Sequence, residues 1–373
     1  MIRSFANRAG VRFAGLRTAP GSFVLIAAMA AFSLSATQCL AQKEVPPAPA
    51  ANAPRSAPAP AESAPQAVPP APAPSAPPAF PKPEAKNFTA TSPTKETVDA
   101  FLHASWGYDA NRVWQVQAIL KTPVEGVSKV VVFVGDKTGK MKPSALAFFT
   151  MPDGKHIIAG DQVVDFGSNP YADYRTKVEQ RANGPFRGSD SKTFELVEFA
   201  DFECPHCKEA QANMDKLAAD FPQAHIVFQF YPLESIHPEA KSAAEYGYCV
   251  NKLGGSKAFF QFASAVFDGQ QSLTTADGAT LTLNSSTIKA GLDPKKVAAC
   301  AALPTTGADI ESSVKLAQDL NIFETPMLVV NGREIPPTIP YNTLKQIVEY
   351  QAKLDGVPIE SASTAQAPSG LAK

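Results

Sequence analysis

Cys204-Pro205-His206-Cys207 is the stretch of this chain whose residue types and spacing carry the clearest chemistry. Two cysteines two residues apart at the start of a helix can close a small disulfide. The first sulfur then lies where backbone N–H groups and the helix dipole favour negative charge. Cys204 is therefore the expected nucleophile, held as thiolate. Cys207, one turn inside, is the expected resolving thiol that releases a mixed disulfide. Pro205 suits the first helical position. An N–H-donating or protonated His206 beside the sulfur would stabilise the thiolate and so the reduced pair. Each unit by which a thiol pKa falls is worth roughly 1.4 kcal/mol, or about 30 mV for a two-electron couple. Half a zinc site is the competing reading of such a pair. It would need a second close pair, and Cys249 and Cys300 stand alone, so no metal is expected. A purely structural disulfide is the other alternative, but so short a loop constrains the unfolded chain little.

Two further positions belong to the same chemistry. Glu198 lies six residues before Cys204 on an apolar stretch. Buried there, its carboxylate could accept the Cys207 proton; the alternative is a solvated strand residue. Thr325-Pro326 precedes a short apolar run, where a proline fits if its peptide bond is cis and exposes backbone to a partner. Cys249 and Cys300 are each predicted on helices. A disulfide between them is the preferred reading, worth at most ~4 kcal/mol through loop closure. Two separate buried thiols are the alternative. His103, His156, His225 and His237 are scattered and read as structural or solvent-facing. No glycine-rich phosphate loop, serine–histidine triad or metal cluster competes, and no cofactor is expected.

The elements that must hold these residues follow from the pattern of the 373-residue chain. Arg3, Arg8, Arg12 and Arg17, followed by an apolar run from Phe23 to Ala36, read as a signal peptide over residues 1–41. Cleavage after Ala41 removes Cys39 and leaves four cysteines, an even count suited to an oxidising compartment. An uncleaved membrane anchor is the alternative. The chain has 34 prolines, 15 of them between Pro46 and Pro83. Residues 42–87 are accordingly expected to be a disordered Ala/Pro-rich linker. Net charge is −1, with no basic stripe beyond the N-terminus, which argues against nucleic acid as a partner.

Order is expected from about Ser92, as the cap of a helix with Pro93 in its first turn. Val98, Phe101, Leu102 and Trp106 share one face of that helix. Strands are predicted over 113–120, where Trp114, Val116, Ala118 and Leu120 alternate to one side, and over 129–135. Two more, 145–151 and 156–166, flank the turn Pro152-Asp153-Gly154-Lys155. Residues 88–185 thus read as a small α+β domain with an antiparallel sheet, closed by a connecting helix over 171–182. Residues 186–355 alternate strand, helix, strand, a helical block, strand and helix. This is an α/β plan of thioredoxin type with a helical insertion. The remainder, 356–373, reads as a disordered tail.

Val197-Glu198-Phe199 through Phe202-Glu203-Cys204-Pro205-His206-Cys207, with Thr325-Pro326 and the helices between, resembles the DsbA family of thiol oxidases from about residue 190 to 355. The resemblance implies a thioredoxin fold, Cys204 as nucleophile and Cys207 as resolving thiol. It also implies Glu198 as buried acid, Pro326 as the cis-proline beside the site, and Cys249–Cys300 as a second disulfide. Asp153 to Gly160 is similar to a hairpin of DsbC and DsbG, isomerases that dimerise through an N-terminal domain. That family usually has tyrosine where His206 stands. Three functions are therefore in view. The first is an oxidase of exported proteins that is served by a membrane redox partner. The second is a homodimeric isomerase or reductase. The third is a non-catalytic binding module or chaperone.

Overall fold

The structure, a computed structural model, describes residues 80–359 apart from 140 and 161. The expected signal segment, nearly all of the expected linker and most of the tail lie outside the described residues.

Helix α1 (Lys95–Trp106) is capped by Thr94, whose Oγ1 accepts the Thr97 N–H at 3.2 Å. Ser92 is not the cap: the Ser92-Pro93 bond is cis, and the helix starts after it. Five strands follow, β1 (Arg112–Lys121), β2 (Ser128–Asp136), β3 (Ser144–Thr150), β4 (His156–Ala159) and β5 (Gln162–Asp165). They pair in chain order, each antiparallel to the next. Val98, Phe101 and Leu102 of α1 cover one face of this sheet, packed on Val116, Ile119, Val130, Val132, Phe148 and Ile157. Burying each such side chain contributes roughly 1.5–3 kcal/mol.

Two expectations fail locally, for identifiable reasons. The alternation predicted along β1 is broken by a bulge between Val116 and Ala118, which turns Ile119 inward instead of Leu120. The predicted strand over 156–166 is a hairpin, because the chain turns at Gly160, whose φ of 67° suits glycine. Packing also reaches further than expected at both ends. The Phe80 ring stacks on Phe133 at 6.3 Å, and Gln117 donates to the Pro81 carbonyl, so residues 80–87 lie against the sheet. Past the last helix, Val357 and Ile359 pack on the second domain's core.

Helix α2 (Ala172–Arg181) leads into β6 (Phe186–Gly188) and β7 (Glu195–Ala200). Next come α3 (Pro205–Asp220), β8 (His225–Phe230) and the insertion: α4 (Ala240–Asp268), α5 (Ala276–Lys289), α6 (Pro294–Ala301) and α7 (Pro304–Asp319). β9 (Met327–Val330), β10 (Arg333–Ile335) and α8 (Tyr341–Leu354) close the domain. The sheet order is β10-β9-β7-β8-β6, with β7 and β8 parallel at its centre. All six residues of β7 and of β8 are buried, because helices cover both faces. Leu196 packs with Met214 and Leu217 of α3 and Leu344 of α8, while Val197 and Phe199 meet Leu316 of α7 and Leu320 just past its end.

The β1–β5 layer and the β6–β10 layer are tied through Arg333. Its buried guanidinium lies 4.4 Å from the centre of the Tyr171 ring and donates to the carbonyls of Ala104 and Ser105 at the end of α1. The Tyr350 hydroxyl adds a bond to the His103 carbonyl at 2.6 Å. The Ala104 and Ser105 carbonyls, which the helix end leaves without intrahelical partners, are thus taken up by Arg333. Nothing in the sequence marked Arg333 for this.

Candidate active site

Strand β7 ends at Ala200, and the loop 201–203 delivers the chain to α3. Cys204 is the N-cap of that helix (φ −71°, ψ 119°) and Pro205 its first residue, where the missing N–H costs nothing. Cys207 is one turn in and fully buried, whereas Cys204 is 5% exposed. Both are free thiols. From the far side of the site, Thr325-Pro326 presents a cis peptide bond, and the Cys204 thiol donates to the Thr325 carbonyl at 3.4 Å. The Cys207 sulfur accepts the Asp201 N–H at 3.4 Å.

The two sulfurs are electrostatically unequal. Cys204 is lowered to about 5, first by the hydrogen bond from Cys207, which outweighs its burial. The Thr325 side chain and the backbone N–H groups of Cys207 and His206 add to the effect. Cys207 is pushed well above the ordinary thiol range by burial, then by its bond to Cys204 and the charge there. One sulfur at the helix start is thus the thiolate, and the next one inward stays protonated.

Glu198, on the buried face of β7, is pushed up to about 7 by burial. The charge of Arg187 and a hydrogen bond from Gln211 oppose that rise. Gln211 Nε2 donates both to Glu198 Oε1 at 2.8 Å and to the Cys207 carbonyl at 3.1 Å. Glu198 therefore meets the cysteine turn through an amide of α3.

His206 departs from the expected arrangement. Its imidazole is exposed and pairs with Glu209 through Nδ1 and Oε2 at 3.0 Å. Glu209 raises its pKa, and the charge of Cys204 is the smallest of the influences on it. What His206 contributes to the sulfur comes from its backbone N–H, the smallest of the influences that act on the Cys204 pKa.

Two groups that the sequence did not mark, Asp201 and Gln270, complete the loop. Asp201 is buried; its Oδ1 accepts the Glu203 N–H, and its Oδ2 accepts the Leu233 N–H and His237 Nδ1, each at 2.8 Å. Gln270, from the insertion, donates to the carbonyls of Phe202 and Cys204. The Asp201-x-Glu203 spacing before the cysteines was a readable local signal. The Gln270 and His237 contacts are tertiary and left none. Cys249 and Cys300 are joined by a disulfide that ties α4 to α6, with Cα atoms 5.9 Å apart.

A dithiol at a helix start, facing a cis-proline loop beyond the end of β7, is an arrangement able to carry out thiol–disulfide exchange. A family model described as Thioredoxin matches residues 180–350. That segment has a thioredoxin-like fold; the β1–β5 sheet lies outside the match. Among curated relatives, a Na(+)/H(+) antiporter NhaA 1 of Salinispora arenicola is 30% identical over 151 residues, 39% of this chain and 21% of that protein. The chain thus spans about a fifth of the length of the first relatives it matches. Disulfide bond formation protein D of Bacillus subtilis is 26% identical over 181 residues, 45% of this chain and 77% of that one. Among solved structures, oxidised BdbD from Bacillus subtilis is 23% identical, covering 46% of this chain and 93% of its own, with a TM-score of 0.41.

Proposed function

We propose that this chain is an extracytoplasmic thiol oxidase that donates a Cys204–Cys207 disulfide to exported proteins with unpaired cysteines. The inequality of the two sulfurs is the observation that carries the reading. A substrate thiolate attacks the Cys204 sulfur of the oxidised pair, the Cys204–Cys207 bond breaks, and Cys207 leaves as a thiolate. Cys207 then takes up a proton, for which Glu198 is the donor. A second substrate thiolate attacks the substrate's own sulfur in the mixed disulfide, and Cys204 leaves as a thiolate. Two electrons have passed from the substrate dithiol to the cysteine pair. The low pKa of Cys204 makes it a good leaving group and favours the reduced protein. Thr325 and Pro326 offer the backbone edge on which the substrate chain is held. A membrane redox partner restores the disulfide, and no cofactor is required.

The arginine-flanked apolar run near the N-terminus supports export, as does the Cys249–Cys300 disulfide, a bond that persists in oxidising compartments. No helix among the described residues is long and apolar enough to cross a membrane. The test is the reduction potential of the pair, together with unfolding of both redox forms. A reduced form more stable than the oxidised form is expected; the opposite order would rule out the oxidase. One feature favours a second reading, the homodimeric isomerase. Phe149 and Val163 stand exposed on the sheet face away from α1. A monomer in light scattering, unable to refold scrambled substrates, would remove it.

A further inference from the structure

Gln270 lies in the short 3-10 turn Gln270–Thr274 that follows α4, 66 residues beyond Cys204. Its amide nitrogen has two hydrogens to give. Both go to one stretch of backbone: Nε2 donates to the Phe202 carbonyl at 2.8 Å and to the Cys204 carbonyl at 2.9 Å. The Cys204 oxygen also accepts the N–H groups of Cys207 at 3.1 Å and Lys208 at 3.3 Å, the bonds that open α3. Gln270 therefore grips the oxygen at which the helix begins and the carbonyl two residues before it. With those two peptide planes fixed, the backbone from Phe202 to Pro205 has little freedom to rotate, and the direction of the Cys204 side chain is set. The thiolate draws its stability from groups whose effect falls steeply with distance and angle: the Cys207 thiol and the backbone N–H groups of His206 and Cys207.

Resting on the reading of Cys204 and Cys207 as the redox pair, we propose that Gln270 is a positioning residue: it holds the Cys204 sulfur over the first turn of α3 and so makes the helical insertion a determinant of the pair's redox poise. The amide touches neither sulfur; it acts through the backbone. A side chain that merely fastened the insertion to the sheet would, when removed, lower stability and leave the sulfur chemistry unchanged.

The experiment compares the full chain with Gln270→Met, which keeps the length and loses the donor, and with Gln270→Ala. Leu273→Ala serves as control; Leu273 is fully buried in the same turn, in the core that the insertion shares with the cysteine turn, and makes none of the hydrogen bonds that Gln270 makes. Three quantities are read on each: the pH midpoint of thiolate absorbance, the equilibrium with glutathione, and unfolding in urea. Both Gln270 variants should titrate about one pH unit higher than the parent. Their disulfide should be reduced about tenfold less readily by glutathione, a potential roughly 30 mV more negative. Leu273→Ala should lose stability with neither shift. Gln270 variants that titrate and equilibrate like the parent would overturn the assignment, as would a Leu273→Ala protein shifted equally. If the parent's Cys204 and Cys207 fail to exchange with glutathione at all, the functional reading falls, and this assignment with it.

Discussion

Replacing Glu198 with glutamine should make the protein's stability less dependent on pH, in a direction fixed by the burial of that carboxyl. In the unfolded chain the group titrates near 4.5; in the fold, burial carries it to about 7. Between those values the folded protein keeps a proton that the unfolded chain has released, so stability falls as pH rises through the window. Below pH 4.5 nothing is lost, and above about 7 the loss is complete. A displacement of ~2.5 units corresponds to about 3 kcal/mol. That is a large share of the 5–15 kcal/mol typical of a folded domain. Glutamine keeps the shape and cannot ionise, so the variant should lack this slope.

The oxidised protein is the form to use, because neither redox cysteine titrates when they are bonded. Urea unfolding of parent and Glu198→Gln between pH 4.5 and 8 gives two stability curves, and their difference isolates the one carboxyl. It should widen by about 3 kcal/mol in favour of the variant as pH rises. Parallel curves would refute the reasoning, and would mean that Glu198 is ionised at neutral pH with Arg187 and Gln211 satisfying its charge. The same variant should slow reduction of the Cys204–Cys207 disulfide by substrate, since the group proposed to protonate Cys207 is gone. Stopped-flow kinetics measures that step separately from stability.

Cys204→Ser should abolish disulfide exchange, while Cys207→Ser should leave Cys204 able to capture substrates and unable to release them, so that mixed disulfides accumulate for mass spectrometry. In the reduced parent, thiolate absorbance should titrate near pH 5. Because that pKa lies below the unfolded thiol's, the reduced fold should gain stability as pH rises from about 5 towards 9 and lose it as pH falls back through 5. His206→Ala should raise the Cys204 midpoint by well under a unit, since the backbone N–H that acts on the sulfur survives the substitution; a rise of two units would return the imidazole to the site. Replacing Cys249 and Cys300 together should cost up to about 4 kcal/mol in thermal or urea unfolding, the loop-closure value for a span of 51 residues.

Much of the second domain was legible because its strands are short apolar runs bounded by turn residues, and because Pro205 and the two cysteines mark a helix start. Strands β6 and β10 were not. Phe186–Gly188 and Arg333–Ile335 are three residues each, too short for any periodicity, and they exist only because a neighbouring strand offers a ladder. In the first domain a bulge and a glycine turn, each a one-residue event, defeated an alternation that is otherwise clear in β2. At the site, sequence spacing identified the sulfurs and Glu198. It could not show which way His206 faces, because that depends on Glu209 three residues on competing for the imidazole. Nor could it supply Gln270, Gln211 or Arg333, whose partners are backbone carbonyls and side chains brought near by tertiary packing.

The division of labour between the two sulfurs needs no difference in residue type, only a difference in depth. Both belong to the first turn of α3, and both lie close to Thr325. Cys204, as N-cap, sits where the N–H groups of the helix start help to lower its pKa. Cys207, one turn later, has its own backbone N–H directed back to the Cys204 carbonyl and its sulfur sealed from water. Each sulfur then amplifies the other, since a protonated Cys207 donates to the Cys204 thiolate, and that thiolate's charge opposes ionisation of Cys207. The pair thereby holds one proton, on the inner sulfur, across the neutral pH range. Oxidation must remove that inner proton, and reduction must restore it. A carboxyl near 7 at Glu198, tied by Gln211 to the Cys207 turn, can give or take a proton at neutral pH with little driving force lost in either direction. The burial that makes Glu198 costly to the fold at neutral pH is therefore also what matches it to the proton that thiol–disulfide exchange must move.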